Sequence, residues 1–205
     1  MTALAVALVV AFYTAGLANA QSPQTVQAVS AAGAPLAYGL RPETSSVRFT
    51  IARPHGWRWR MRFVRMNGRL ERGPDTREFG RVSVDIDARS VESNTPFAAA
   101  FVKSSAVLDT ARYPSIRFES TGFIPTGEGK GTLLGLLTIR AVTHPIELEV
   151  TFDDSIVRSG ARDRLAFRAS GIFSRGAFGL AKWASSIDDA IPLQIEGEFA
   201  RMSGP

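Results

Sequence analysis

This sequence predicts an all-β fold of about eight antiparallel strands, closed as a barrel or packed as a sandwich. Three observations carry the prediction. From Leu36 onward the hydrophobic period is two residues. One segment alone carries a convincing set of helix signals. One long apolar run changes face partway along, as a curling sheet requires.

The elements follow in order. The first forty of the 205 residues carry no charge. "MTALAVALVVAFYTAGLANA" is an apolar run ending in Ala18-Asn19-Ala20, a small-x-small cleavage pattern, so residues 1–20 read as a secretory signal peptide. Its n-region has no Lys or Arg, which leaves an uncleaved membrane anchor as the alternative, although the run is short for a spanning helix. Residues 21–35, "QSPQTVQAVSAAGAP", are small, polar and proline-punctuated, and read as a flexible linker.

Val47, Phe49 and Ile51 then alternate with Arg48 and Thr50. In "GWRWRMRFVRMNGRL", Trp57, Trp59, Met61 and Phe63 share one phase, whereas Val64, Met66 and Leu70 share the other. A bulge or sharp bend near Phe63–Val64 accommodates the switch. Val82, Val84 and Ile86 alternate with Ser83, Asp85 and Asp87. Thr95 as N-cap and Pro96 at N1 predict a short helix at 96–104. Ile116 and Phe118 share one face of the next strand. "TGEGKGT" reads as a hairpin turn, with Gly127 and Gly129 supplying positive φ. Residues 132–142 are apolar on both phases, so a covering element is expected, and the helical segment is the candidate. Three more alternating runs end the chain: Ile146 to Phe152, Leu165 to Ala169 and Ile191 to Ile195. "GIFSRGAFGLAKWASS" holds an irregular turn before the last of them.

Composition narrows the chemistry. With 45% hydrophobic and 21% charged residues the chain is globular. The absence of cysteine excludes thiol catalysis, Fe–S clusters and cysteine-type zinc sites. His55 and His144 are far apart in sequence, too few for a zinc site, and no metal is expected. Asp85 and Asp87 alternate with apolar neighbours and belong on the solvated face. No nucleophile elbow is present, and no catalytic residue is assigned. Twenty-four Lys and Arg against 19 Asp and Glu give a charge of +5, which favours anionic surroundings. Arg58, Arg60 and Arg62, interleaved with tryptophans, are a basic outer face that discourages edge pairing, or a patch for anionic membrane surfaces. Nucleic acid is the least favoured partner, because export puts it in another compartment.

Five stretches, "YGLRPETSSVRFTI", "VSVDIDARSVESN", "AVLDTARYPSIRFEST", "GLLTIRAVTHPIELEV" and "FSRGAFGL", follow in order the pattern of the YceI-like family of bacterial, mostly periplasmic proteins. The chain resembles that family from about Tyr38 to Phe199. The resemblance implies an extended eight-stranded antiparallel lipocalin-like barrel over residues 36–202, with one short helix. It implies a non-catalytic periplasmic binding or carrier protein, linked to stress responses, for an isoprenoid lipid: an isoprenoid quinone, its precursor or a polyprenyl chain. That lipid is the ligand, and no cofactor is expected. On this reading Phe49, Ile51, Trp59, Phe63, Ile116, Phe118, Phe167 and Phe173 line an apolar tunnel. Phe101 and Phe178 line its mouth, and His55 and Arg175 are donors to a polar head. The sequence departs from the family at "FAAAFVK" and at Arg175-Gly176-Ala177-Phe178-Gly179, which lacks the usual acid. Two other readings stay open: an interaction module docking to a membrane redox partner, and an enzyme acting on a bound isoprenoid. The oligomeric state stays open, a homodimer included.

Overall fold

Alternating apolar and polar residues become strand because one face of the pleat can be buried while the other is solvated. The computed structural model describes residues 36–53, 56–72, 80–153, 163–180 and 187–202, and all fall in one compact unit, residues 33–205. Its strands are β1 (Leu36–Leu40), β2 (Ser46–Ala52), β3 (Arg58–Phe63), β4 (Met66–Arg72), β5 (Arg81–Asp87), β6 (Val91–Ser93), β7 (Ser115–Gly127), β8 (Lys130–Ile139), β9 (Val142–Phe152), β10 (Arg164–Ser174) and β11 (Ala190–Arg201). Antiparallel pairing runs β1-β4-β5-β7-β8-β9-β10-β11 and returns to β1, a closed barrel of eight strands. From β11 the sheet also continues through β2 and β3 to β6.

The closed circuit and this branch are one up-and-down meander whose first three runs are each broken once. β1 and β2 are interrupted at 41–45, β3 and β4 at Val64–Arg65, and β5 and β6 at Ala88–Ser90. Tyr38 pairs with Arg201 on one side of the break, and Val47 with Ile195 on the other, so β11 serves both halves of the first run. The phase switch at Phe63–Val64 is the middle break: Met61 and Phe63 are buried before it, Met66 and Leu70 after it. The buried Ser90 hydroxyl accepts from the Val64 and Arg65 N–H groups at 3.3 and 3.1 Å and donates to the Asp87 carbonyl at 2.6 Å. The break is thus satisfied by hydrogen bonds, as buried backbone requires.

The helix, α1 (Ala98–Lys103), is shorter than the predicted 96–104. Thr95 does not cap it; the N-cap is Phe97, in the left-handed region with φ 62°. The Thr95 N–H is taken by the Ser93 hydroxyl at 3.1 Å, which makes a turn of the residues expected to begin the helix. Ala98 and Val102 are its buried side. Contrary to expectation, α1 does not roof β8, whose Leu136 is 40% exposed on the outer face; it packs at one end of the barrel against β6. In the β7–β8 turn Gly129 has φ 65°, whereas Gly127 does not need a positive φ. No described helix is long and apolar enough to cross a membrane. Residues 1–35, read above as signal peptide and linker, lie outside the described residues.

Candidate functional site

The inward positions of the strands do not meet in the middle. They enclose a cavity of about 180 Å³ that runs along the barrel axis. Its wall extends from Leu70 and Val150 at one end to Val107 and Ile187 at the end where α1 lies. Ser45 and Arg175 are the polar residues of the described wall, which includes no carboxylate and no histidine.

Inward glycines explain why aromatic side chains leave this space. Phe118 lies across Gly135 of the neighbouring strand, where a methyl group would collide with its Cε2 and Cζ. Phe167 lies over Gly197 in the same way. Each ring covers the backbone beside it instead of projecting to the axis. Stacking continues the wall: Phe49 on Phe63 at 5.2 Å and Phe167 on Phe199 at 5.6 Å between centroids, both within the favourable range.

Most of the side chains named from the sequence stand on this wall: Phe49, Ile51, Phe63, Phe101, Ile116, Phe118, Phe167 and Phe173. Trp59 and Phe178 do not. Trp59 is sandwiched away from the space, stacked on Trp57 at 4.2 Å and meeting Phe101 edge-on at 5.7 Å. Phe178 is 2% exposed and packs behind the wall, edge-on to Phe173 at 5.5 Å and to His144 at 5.2 Å. His55 lies outside the described residues. Sequence reasoning passed over the aliphatic part of the wall, Leu133, Leu137, Ile146 and Leu148, although period-two alternation marks it as inward. It also missed Val102, Val107 and Leu108, which reach the wall from α1 and the turn after it.

Arg175 is 6% exposed. Its guanidinium donates to the Leu180 carbonyl, to Ile187 O at 3.0 Å and to Asp188 O at 3.1 Å, pinning both stems of the β10–β11 connection. Such charge-assisted bonds are stronger than neutral ones. In the same connection Asp189 accepts from Gly176 N–H at 2.8 Å. Hydrogen bonds from Ser174 and Gly176 hold its carboxyl below the ordinary range.

On the outer face the arginine row is not uniform. Arg62 is tied to Glu92 at 2.9 Å, whereas Arg58 and Arg60 meet no carboxylate among the described residues. Asp85 and Asp87 point outward, to Arg117 at 2.9 Å and Arg65 at 2.7 Å.

Comparison with known proteins adds the following. The model of the YceI-like domain matches residues 38–199. A UPF0312 protein of Pseudomonas putida (strain W619) is 29% identical over 121 residues, 59% of this chain and 62% of that protein. One of Vibrio cholerae (strain ATCC 39541) is 25% identical over 136 residues, 66% of this chain and 72% of that protein. The chain therefore spans only about three fifths of the length of the Pseudomonas relative. Among solved structures, Burkholderia cenocepacia BcnA superposes with a TM-score of 0.67 at 18% identity, over 78% of this chain and 98% of that one. A polyisoprenoid binding domain from Saccharophagus degradans, implicated in plant cell wall breakdown, superposes with 0.60 at 15% identity, over 82% of this chain and 99% of that one. At these identities the structures share the fold.

Proposed function

Given that the chain belongs to the YceI-like domain family, we propose that its cavity holds an isoprenoid lipid and that the protein is a non-catalytic carrier of that lipid in the periplasm. The carrying observation is an axial space whose described wall is apolar but for Ser45 and Arg175. Transfer of a hydrocarbon chain from water into such a space gains about 25 cal/mol per Å² of buried apolar area. Few polar contacts are then needed for tight binding. The name of the Saccharophagus neighbour, a polyisoprenoid binding domain, supports the same ligand class.

At about 180 Å³ the space is comparable to an engineered apolar cavity of roughly 150 Å³ that takes up benzene. A short stretch of a prenyl chain fits that volume, and a longer one requires the wall to widen. Arg175, the buried charge on the wall, is the group that a quinone or other polar head would meet. An enzyme acting on the lipid would need convergent acid–base groups around the space. The described wall offers neither carboxylate nor histidine, which favours binding over catalysis.

The test is mass spectrometry of organic extracts from protein purified out of its native periplasm. A prenyl lipid near one equivalent is expected, and it should be lost in Phe118→Arg, which puts a charge on the cavity wall. A clean extract from folded parent protein would refute the reading.

A further inference from the structure

Two large aromatic side chains stand in solvent at the α1 end of the barrel: Phe97, 88% exposed, and Trp57, 39% exposed. Topology puts them together, since the β2–β3 connection and the β6–α1 connection both leave the barrel at this end. Trp57 stacks on Trp59, Trp59 meets Phe101, and Phe101 is on the cavity wall, so a run of rings leads from the interior to the surface. The backbone at Phe97 adopts φ 62°, a region that is rare for a bulky residue and carries strain. Contact with water gives no return for holding a phenyl ring out in that way. On the same hairpin Arg58 and Arg60 are exposed on the outer side of β3 and meet no carboxylate among the described residues.

We propose that this end docks on an anionic bilayer surface, with Phe97 and Trp57 entering the headgroup region and Arg58 and Arg60 facing the negative charge of the lipids. Amphipathic rings settle at the membrane interface, and basic side chains close to an anionic leaflet add electrostatic attraction. The inference rests on the cavity reading for its purpose, the passage of a lipid through the docked end. Its test does not.

The full chain is floated with vesicles of phosphatidylcholine alone and of phosphatidylcholine mixed with phosphatidylglycerol. The parent binds the mixed vesicles preferentially, and less so in high salt. The double variant Arg58→Gln, Arg60→Gln weakens that binding on the order of tenfold to thirtyfold. Phe97→Gly weakens it several-fold and leaves the fold intact, because glycine accepts the positive φ without strain. The uncharged first forty residues are common to every variant and cannot produce these differences. No binding, equal binding to neutral vesicles, or variants that bind like the parent would each overturn the proposal. Vesicle binding without a co-purifying prenyl lipid would leave docking intact and remove the cavity reading. The reverse pattern would remove docking alone.

Discussion

A methyl group at Gly135 would meet two ring atoms of Phe118 and come within 2.8 Å of the Glu119 carbonyl oxygen; at Gly197 it would come within 2.8 Å of Phe167 Cε1 and Cζ. Real contacts are never this close, so something must move, and the free direction for Phe118 is toward the axis. Gly135→Ala is expected to cost about 1–3 kcal/mol, the usual penalty for overpacking, and to shrink the cavity. Urea unfolding measures the first effect, and reduced uptake of a fluorescent apolar dye measures the second. The sequence shows which side chains point inward, because alternation is a geometric consequence of the pleat. It does not show that Phe118 lies down over a glycine, since that depends on a neighbour from another strand. The same limit separates Phe101, on the wall, from Trp59 and Phe178, which are off it. The sequence offers Arg175 as a donor to a ligand's polar head; the backbone carbonyls of Leu180, Ile187 and Asp188 that it bonds carry no side-chain identity to read.

Among the elements, one carboxylate joins two of the three strand breaks. Asp87 accepts from Arg65 Nη2 at 2.7 Å, from Arg65 Nε at 3.0 Å and from the Arg89 N–H at 2.8 Å. Partial burial pushes its carboxyl up, but the bonds from Arg65 and the Arg89 N–H outweigh burial and hold it below the ordinary carboxylate range. A carboxyl lowered in the folded state stabilises the fold at pH values above its unfolded titration, and the contribution is lost as pH falls through the folded value. Asp87→Asn should therefore lower the melting temperature at neutral pH, and the gap to the parent should close in acid. Melts across a pH series check this; a gap that persists unchanged in acid would contradict it. Of the three breaks, the one at Val64–Arg65 is legible as a change of phase. The other two go unread in the alternation, although Pro42 opens the first and Asp87, whose side chain accepts from the Arg89 N–H, opens the second. The bonds of Ser90 that join two of the breaks cross between chain segments far apart in sequence. Residues 132–142 misled for a related reason: Leu136 is apolar on the outer face, and a sheet tolerates single exposed apolar residues without a roof.

For the molecule as a whole, the all-β class and the number of runs follow from periodicity, whereas closure does not, since a sandwich has the same alternation. What converts the sheet into a barrel is the seam where the first run pairs with the last strand: Tyr38, Gly39 and Leu40 with Arg201, Ala200 and Phe199, continued by Ser46 to Phe49 with Glu196 to Leu193. Exposed ion pairs such as Arg48–Glu196 at 3.0 Å decorate the outside and contribute little. Deleting residues 36–40 would leave β4 and the far half of β11 with open edges, which template association with other chains. The truncated protein is expected to run as oligomers or aggregates in size-exclusion chromatography, while the parent keeps a discrete size. Because the residues that zip the seam lie at opposite limits of the folded unit, no part-length chain can shut the container. Most pairings join neighbouring runs, but the closing ones span nearly the whole unit, and such distant pairings are intrinsically slow to form. Until β11 is in hand the polypeptide stays an open ribbon, its future inner wall bare to the surroundings.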